Sequence, residues 1–290
     1  MGGMLGESKY DVLKLIPGQY KPKTIRIQYP YTSTHILTVL SDNDFRFPVI
    51  FKPDLGERGF MVKQIFNETD IEQYANKLHA DFLIQELVDL PVECGVFYTR
   101  FPEEKSGKVT SLVLKEMLTV TGNGKSPLQE LILAKPRAKL QWEVLKEVHA
   151  EKLATNIPKG VIVELNVIGN HCLGTKFLNG EYLINDKLTQ TFDSISKQIE
   201  GFYFGRYDLR CASIEDLYEG KIKIMELNGC GAEPAHIYQP GFSLWRALII
   251  LFMHWKNMFT ISAQNHKRGT PYMPFKEGKI IYRKFKAAVQ

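Results

Sequence analysis

Cysteine is scarce in this sequence and shows none of the spacings that bind zinc. The 290 residues contain four cysteines, Cys94, Cys172, Cys211 and Cys230, and no two of them form a C-x-x-C pair. A small disulfide scaffold needs a denser set, and a structural zinc site needs closely spaced ligand pairs. Neither is indicated, and we expect free thiols in a reducing, cytoplasmic compartment.

Long apolar segments are also missing. The longest lies at residues 247–253, inside a predicted helix over residues 243–261, and is well short of the roughly 20 apolar residues that a membrane span requires. We expect this helix to be buried on nearly all sides against a central sheet, with docking to a membrane or to a second subunit, as in a homodimer, as the alternatives. The first four residues lack the features of a secretory signal. A hydrophobic segment upstream of the given sequence would make the protein membrane-associated.

The sequence has only a small excess of positive over negative side chains. The formal net charge is +5, with 24% charged and 44% hydrophobic residues, which is typical of a folded, enzyme-sized protein. Nucleic-acid binding is not needed to explain this balance, because a nucleotide site also requires cations. Basic residues concentrate near the end, at Lys276, Lys279, Arg283, Lys284 and Lys286. We predict a solvated terminal strand or tail there, with contact to anionic lipid as the alternative.

Neither a Walker A motif nor a G-x-G-x-x-G fingerprint is present, but two neighbouring predicted strands carry oxygen ligands. If residues 201–211 pair with residues 222–227, the alternation of side chains brings Asp208, Glu226 and Asn228 to one side. Two carboxylates and an amide oxygen form a hard-cation site, and Mg²⁺ in such a site leaves positions open for phosphate. The alternative is a solvated hairpin with ordinary edge charges.

A second cluster follows the predicted strand at residues 47–52. This strand ends in Lys52, and the turn after it contains Gly56 and Gly59. The glycines permit backbone conformations in which amide groups approach an anion closely, and Lys52 would add a point charge to the same phosphates. An ordinary hairpin is the alternative.

A third cluster lies at residues 81–89, a predicted strand that runs into a connector, with Glu93 just beyond it. A connector of this kind can present backbone groups to an adenine edge, and a carboxylate can accept hydrogen bonds from ribose hydroxyls. The alternative is a crossover between domains with a surface glutamate.

In this order and at these separations, the clusters resemble the ATP-grasp superfamily from about residue 22 to about residue 269. The sequence is most similar to the side of the superfamily that contains D-alanine–D-alanine ligase and cyanophycin synthetase. Residues 120–131 are similar to a glycine-containing loop before a helix in cyanophycin synthetase-like enzymes. One departure is the separate N-terminal α/β domain of the superfamily, which we expect this sequence to lack, since only about 45 residues precede Phe47.

The resemblance implies the nucleotide contacts. Lys52 matches the phosphate-binding lysine, and the mobile loop that closes over the triphosphate matches Gly56, Glu57, Arg58 and Gly59. The adenine hinge matches Glu86, Leu87, Val88 and Asp89. Glu93 stands at the position of the ribose-binding acid.

The resemblance also implies the metal ligands and the catalytic arginines. Asp208, Glu226 and Asn228 match the magnesium ligands, and Arg206 matches the arginine placed against the transferred phosphoryl group. Together with Arg210, it is expected to steady an acyl phosphate. Three further residues are candidates for substrate contact: His171, Lys176 and His236. For His236 a structural role is favoured over a catalytic one, because this chemistry needs no histidine base.

The predicted organisation is α+β, an ATP-grasp fold of two lobes that clamp ATP. We predict an N-terminal segment at 1–21, a small lobe with the phosphate loop at 22–88, a large lobe with the metal site at 89–265 and a basic tail at 266–290. Further predicted strands cover residues 35–39, 60–65, 94–100, 108–118 and 160–167. Further predicted helices cover residues 10–16, 69–79, 127–133, 136–154 and 188–199.

These residues predict an enzyme that uses ATP and Mg²⁺ to join a small-molecule carboxylate to an amine. Phosphorylation without ligation is one alternative, and a nucleotide-binding module without catalysis is another. Retention of Lys52 and of all three metal ligands favours the enzyme. The substrates themselves, and a partner that supplies the missing domain, are not indicated by any motif.

Overall fold

The computed structural model describes residues 6–56, 59–166 and 169–289, and within these ranges the side chains of Cys172, Lys284 and residues 287–289 are not described. The chain divides into two compact units. The larger unit consists of Met1–Leu114 with Asn179–Gln290, and the smaller unit is Lys115–Leu178. The domain boundaries predicted after residues 21, 88 and 265 stay predictions.

The described chain contains strands, α-helices and short 3₁₀ turns. The strands are β1 (Thr24–Ile27), β2 (Val49–Pro53), β3 (Lys63–Ile65), β4 (Phe82–Glu86), β5 (Val92–Thr99), β6 (Lys108–Glu116), β7 (Thr119–Thr121), β8 (Ile162–Glu164), β9 (Lys176–Asn179), β10 (Phe204–Cys211) and β11 (Ile222–Asn228). The helices are α1 (Lys9–Lys14), α2 (Ser33–Asp42), α3 (Glu68–Lys77), α4 (Leu128–Ala134), α5 (Pro136–Lys139), α6 (Trp142–Val148), α7 (Asp186–Lys197), α8 (Ile214–Glu219), α9 (Leu244–Lys267) and α10 (Phe275–Val289). The 3₁₀ turns are Gly18–Tyr20, Ala150–Lys152, His171–Leu173, Glu181–Leu183 and Ala235–Tyr238.

The strands form three sheets, in the orders β1-β4-β2-β3, β11-β10-β5-β6-β9 and β7-β8. Every strand pair whose register the structure describes is antiparallel. Antiparallel sheets with helices packed on them are the hallmark of the α+β class. The predicted fold class is therefore confirmed.

The four-stranded sheet packs against α2 and α3 in the larger unit, around a core that includes Phe51, Tyr74 and Phe82. The prediction of a strand at residues 35–39 is wrong, because these residues belong to α2. The Thr32 side chain accepts a hydrogen bond from the His35 N–H at the start of this helix, as an N-cap residue does. Ile36 and Leu40 are four residues apart and both are buried, so helical spacing outweighs the β-branched composition.

The five-stranded sheet carries the predicted metal ligands. The predicted pairing of its two ligand strands is confirmed: β10 and β11 are antiparallel, with Asp208 opposite Glu226 and Arg206 opposite Asn228. The predicted short hairpin between them is wrong, because α8 connects them. This helix starts at a Ser213 cap and ends at Gly220, whose φ of 72° is the left-handed conformation that favours glycine.

The smaller unit has its own apolar core, built from residues such as Leu118, Leu128 and Ile132. The helix predicted at residues 136–154 is divided into α5, α6 and a 3₁₀ turn. In the loop before α4, the Asn123 side chain accepts hydrogen bonds from the backbone N–H groups of Lys125 and Ser126. The loop that resembles cyanophycin synthetase is thus an Asx-type turn.

The C-terminal part differs most from the prediction. Burial of residues 243–261 on nearly all sides is wrong, because α9 buries only His254 and Ile261. A terminal strand, one form predicted for the basic end, is also wrong, since residues 275–289 form α10. A search of the described helices for one with the length and apolar character of a membrane span found none.

Cys94 and Cys211 are buried and Cys230 is half-buried. Cys211 and Cys230 are free thiols, as predicted. Burial raises the pKa of the Cys230 thiol above its ordinary value.

Candidate active site

Lys52 extends from β2 to the neighbouring sheet within the larger unit. Its Nζ donates hydrogen bonds to Gln85 Oε1 and to the Met225 carbonyl oxygen, both at 3.0 Å. The residue is only 6% exposed. Burial lowers the pKa of the Lys52 ammonium to about 8; the Glu226 carboxylate opposes this shift and Lys9 adds to it. A buried lysine with a lowered pKa, hydrogen-bonded between two sheets, is a candidate for a functional site.

The segment before α1 brings a second lysine to this place. Asp54, just beyond β2, accepts hydrogen bonds at its Oδ1 from the Ser8 hydroxyl and the Tyr10 N–H, each at 2.9 Å. These bonds fix the backbone on both sides of Lys9. The Lys9 Nζ then donates to the Gly56 carbonyl oxygen and lies 3.5 Å from Glu226 Oε1. Two ammonium groups therefore converge on the start of the glycine loop and on β11.

Arg206 and Asp208 form a bidentate ion pair on one face of β10. The Arg206 Nε lies 3.2 Å from Asp208 Oδ1, and its Nη2 lies 3.0 Å from Oδ2. A third contact runs from the Arg206 Nη1 to the Glu233 carbonyl oxygen at 3.2 Å. Burial by itself would lower the pKa of the guanidinium, but the Asp208 carboxylate holds the pKa above its ordinary value. Arg206 is thus a fixed positive charge.

The three predicted metal ligands lie together. Glu226 is opposite Asp208 in the strand register, and the Asn228 side-chain amide donates to Asp208 Oδ2 at 3.0 Å. Among the described residues no three His, Cys, Asp or Glu side chains cluster as a metal site; the predicted set has two carboxylates and one amide. That donor set fits Mg²⁺, which binds proteins through one or two carboxylates and completes its shell with phosphate and water.

Arg210 and Glu93 pair with each other on the next part of the sheet. The Arg210 Nε donates to Glu93 Oε2 at 2.8 Å, and its Nη1 donates to the Val88 carbonyl oxygen at 3.0 Å. Glu93 is 5% exposed. Arg210, predicted to steady an acyl phosphate, and Glu93, predicted to bind ribose, thus form an ion pair. Arg210 also contacts the predicted adenine hinge through the Val88 carbonyl oxygen.

The hinge itself follows the end of β4. The Glu86 N–H donates to the Lys23 carbonyl oxygen at 2.9 Å, which continues the pairing with the chain before β1. Val88 is buried, Leu87 is half-buried, and Glu86 and Asp89 are exposed. In the glycine loop, Gly59 has a φ of 77°, a conformation in which glycine is favoured. Glu57 and Arg58 lie outside the described residues.

The three substrate candidates are in different units. In the larger unit His236 is fully buried, with its Nδ1 at 2.6 Å from the Ser111 hydroxyl, and burial lowers its pKa. In the smaller unit Lys176 lies 3.6 Å from Glu116 Oε2, and burial lowers the pKa of His171. The His236 Nε2 lies 3.4 Å from Glu181 Oε1, and the structural role of His236 stays a prediction. His171 and Lys176 stay predictions.

Two site residues were missed by the sequence reasoning, Gln85 and Asp54. Both are buried and both contact the lysines or their backbone. The sequence contained a signal for Gln85, because this polar residue directly follows the apolar run of residues 82–84. A polar side chain buried at the end of such a strand needs a hydrogen-bond partner. Asp54 follows Lys52 by two residues, yet its hydrogen bonds run to residues 8 and 10, which no local pattern indicates.

Comparison with known proteins gives structural neighbours only. No family model matches the chain, and no curated protein matches its sequence. Similar solved structures include the VanG D-Ala:D-Ser ligase from Enterococcus faecalis, with a TM-score of 0.48 and 13% identity over 87% of this chain and 62% of that chain. The D-alanine–D-alanine ligase from Bacillus anthracis complexed with ATP has a TM-score of 0.47 and 11% identity over 90% of this chain and 68% of that one. A bifunctional glutathione synthetase from Pasteurella multocida has a TM-score of 0.41 and 15% identity over 86% of this chain and 36% of that one.

By their names, these neighbours are two ligases and a glutathione synthetase. This chain spans 62% of the length of the VanG structure. At 11–15% identity the likeness concerns the fold alone, and the activity has to be argued from the residues of this chain.

Proposed function

We propose that this chain is an ATP-grasp ligase that uses ATP and Mg²⁺ to join a small-molecule carboxylate to an amine through an acyl phosphate. The observation that supports the proposal is one cluster within the larger unit: the Lys52 ammonium bonded to the backbone of β11, Lys9 paired with Glu226, and Arg206 paired with Asp208. Three cations and two carboxylates in one place suit a triphosphate and a divalent cation.

In the proposed reaction, a carboxylate oxygen of the substrate attacks the γ-phosphorus of ATP and ADP leaves. The amine nitrogen then attacks the acyl carbon, inorganic phosphate leaves, and the nitrogen loses a proton. Lys52 and Lys9 hold the triphosphate, and Arg206 meets the negative charge that develops on the transferred group. Mg²⁺, held by Asp208, Glu226 and Asn228, would neutralise phosphate charge. Positioning and electrostatic stabilisation supply the acceleration, so no activated Ser, Cys or His is needed.

Arg210 has a supporting role in this proposal. Its guanidinium is occupied by Glu93 and by the Val88 carbonyl oxygen, so we assign it to the positioning of the adenine hinge and of the ribose-binding carboxylate. Glu86, Leu87 and Asp89 would then offer the backbone groups of this connector to adenine.

The proposed function is tested by an ADP-release screen with pools of small carboxylates and amines. Ligation predicts ADP only when both a carboxylate and an amine are present. ADP from one alone would indicate a kinase or an ATPase. Nucleotide-dependent stabilisation without ADP release from any pool would support the binding module instead.

Nucleotide affinity should depend on the protonation of Lys52. Since burial lowers the pKa of this ammonium to about 8, the charged form is lost as the pH rises through 8 in the empty protein. Bound phosphate favours the charged form, so binding above pH 8 takes up a proton. We expect the affinity to be constant below pH 7 and to fall by up to about tenfold per pH unit above 8.

Calorimetric titration of a non-hydrolysable ATP analogue in buffers of different ionisation enthalpy measures both the affinity and the proton uptake. The matched control is Lys52→Arg, because a guanidinium stays charged throughout this range. Its affinity should not change between pH 7 and 9. An equal fall in both proteins would assign the titration to another group.

Lys9 should bind phosphate although it lies in the N-terminal segment. A hydrogen bond to a charged group contributes about 1.5–3 kcal/mol, so Lys9→Ala should weaken ATP-analogue binding about 10- to 100-fold. Lys14→Ala, at an exposed position of the same helix, is the matched control and should bind as the wild type does. Equal affinities for the two variants would mean that Lys9 only braces the loop.

A further inference from the structure

The face of α9 that points away from the core is mostly apolar, with the exposed Lys256 between Phe252 and Phe259. Its apolar side chains are spaced by three or four residues and are all exposed: Trp245, Leu248, Ile249, Phe252, Trp255 and Phe259. We call this set the outer face of α9. The four aromatic members are 62–78% exposed, and two of them are tryptophans of the three in the whole sequence.

The opposite face of α9 packs against the core through its two buried residues, His254 and Ile261. His254 lies there, with its Nε2 at 3.0 Å from the Ala232 carbonyl oxygen and its ring against Phe97 and Phe204. Ile261 is also buried in this cluster. The outer face therefore contributes nothing to the core, and a contiguous apolar patch of this kind marks an interaction surface.

The charge of the chain is concentrated in the same region. Residues 1–243 carry 28 Lys and Arg against 31 Asp and Glu, a net charge of −3, whereas residues 244–290 carry nine against one, a net charge of +8. The overall charge of +5 thus comes entirely from the last 47 residues. Helix α9 contains no acidic residue at all.

Helix α10 orders part of this charge into a stripe. Lys276, Lys279, Arg283 and Lys286 follow one another at intervals of three or four residues, which places them on one side of the helix. The other side is apolar and packs toward the N-terminal segment: a Cβ placed on Gly6 would lie 3.1 Å from Ile281 Cγ2 and 3.5 Å from Phe285 Cβ. The basic stripe therefore faces away from this contact.

Charge complementarity favours an anionic lipid surface over a second copy of the chain as the partner of the outer face of α9 and the basic stripe of α10. A second copy of the chain would bring another +8 region against the first, and like charges at that density repel each other. An anionic lipid surface supplies the opposite charge, and its interfacial layer accepts the amphipathic rings of Trp and Tyr. Helix α9 has 24 residues, about 36 Å at 1.5 Å per residue, which gives a long contact parallel to a membrane surface.

We propose that the outer face of α9 docks this protein on the surface of a membrane containing anionic lipids, with the basic stripe of α10 bound to their headgroups. The docking is peripheral, since apolar side chains enter the interfacial layer and the helix lies in its plane. Neither surface includes a residue of the candidate active site, so the proposal is independent of the proposed function.

Vesicle co-sedimentation tests the proposal. The 290-residue chain should bind vesicles of phosphatidylglycerol and phosphatidylcholine at least tenfold more strongly than vesicles of phosphatidylcholine alone. Binding should weaken when the salt concentration is raised, and tryptophan emission should shift to the blue as Trp245 and Trp255 leave water. Wild-type protein that does not bind the anionic vesicles would overturn the proposal.

Two double variants with matched controls separate the apolar and the electrostatic contributions. Phe252→Ser with Phe259→Ser should lower binding to anionic vesicles at least tenfold, whereas Tyr182→Ser, at a 77% exposed aromatic residue elsewhere, should not change it. Lys276→Glu with Lys279→Glu should lower it similarly, whereas Lys77→Glu with Lys105→Glu, at exposed lysines elsewhere, should have little effect. Unfolding midpoints of all variants are compared with the wild type.

Sedimentation velocity without lipid tests whether a second copy of the chain, and not a membrane, covers the outer face of α9. The proposal predicts a monomer in the absence of vesicles. A lipid-free dimer that dissociates on Phe252→Ser with Phe259→Ser would show that a second copy covers this surface, and would overturn the proposal.

Discussion

Asp208→Asn and Glu226→Gln are both expected to abolish turnover of Mg-ATP, but Asp208→Asn should lower the stability of the fold more than Glu226→Gln does. Each substitution removes one negative charge from the proposed magnesium site, and a divalent cation with one carboxylate fewer binds phosphate poorly. We expect turnover to fall at least about 10³-fold, the loss of several kcal/mol of electrostatic stabilisation.

The stability difference follows from the partners of the two carboxylates. Asp208 is 8% exposed and holds the guanidinium of Arg206, which is 21% exposed, so its neutralisation leaves a largely buried cation without its counter-charge. Breaking a fully buried pair costs about 3–5 kcal/mol. Because Arg206 retains some solvent and asparagine still accepts one hydrogen bond, we expect about 1–3 kcal/mol. Glu226 is 36% exposed, and its exchange for glutamine should cost less than about 1 kcal/mol.

Thermal melts with and without Mg-ATP measure both effects. At a ligand concentration of 100 times Kd, binding to the native state alone stabilises it by about 2.7 kcal/mol. The wild type should show a gain of this order and both variants a much smaller one. The melts without nucleotide should place Glu226→Gln near the wild type and Asp208→Asn below it. Equal gains in all three proteins would contradict the metal assignment.

Lys52→Ala and Arg206→Ala should fail in different ways. Lys52 is proposed to contact the phosphates already in the ground state, so its loss should mainly weaken nucleotide binding. Arg206 is proposed to meet charge that appears only during transfer, so its loss should mainly lower kcat, by about 10³-fold or more, as for other arginines that stabilise a transferred phosphoryl group. Nucleotide affinity and kcat for each variant, with the substrates found by the ADP-release screen, make the comparison.

Arg206→Lys is the conservative control for this pair. It keeps the positive charge but loses the fork geometry that contacts both Asp208 oxygens and the Glu233 carbonyl oxygen. We expect an intermediate loss of turnover and little change in nucleotide affinity. If Arg206→Ala leaves turnover unchanged while Lys52→Ala weakens binding, the phosphoryl-transfer role of Arg206 is wrong and the binding module becomes the better description.

The parts of the fold that were predictable from the sequence are those set by local alternation. Asp208 and Glu226 each lie in an apolar strand whose side chains alternate between the two faces of the sheet. Pairing of these strands places the two residues opposite each other. Lys52 could be singled out as a candidate site residue because it is a charged residue at the end of a short apolar strand. Long-range partners were not recognisable: nothing in residues 35–39 excludes a strand until Thr32 caps a helix and Ile36 and Leu40 pack on the same sheet.

The candidate site shows the same division. The ion pair of Arg210 with Glu93 joins residues 117 positions apart, and it is the reason that Arg210 is proposed to position Glu93 and the hinge and not to contact a ligand. The position of Lys9 depends on Asp54, which is 46 residues from Ser8. Neither contact leaves a spacing signal, because spacing reports only neighbours within one strand or one helix.

The sequence by itself determined the α+β class, the pairing of β10 with β11 and the place of Lys52 near the end of a strand, since each depends on periodicity and residue chemistry within a few positions. Only the tertiary structure decided which lysines and carboxylates meet, and which side of α9 is left in water. The physical reason is that an apolar helix has the same composition whether its second face is covered or exposed. Burial is a property of the packed chain, and for α9 the core is complete with one face, so the other is free to bind a partner.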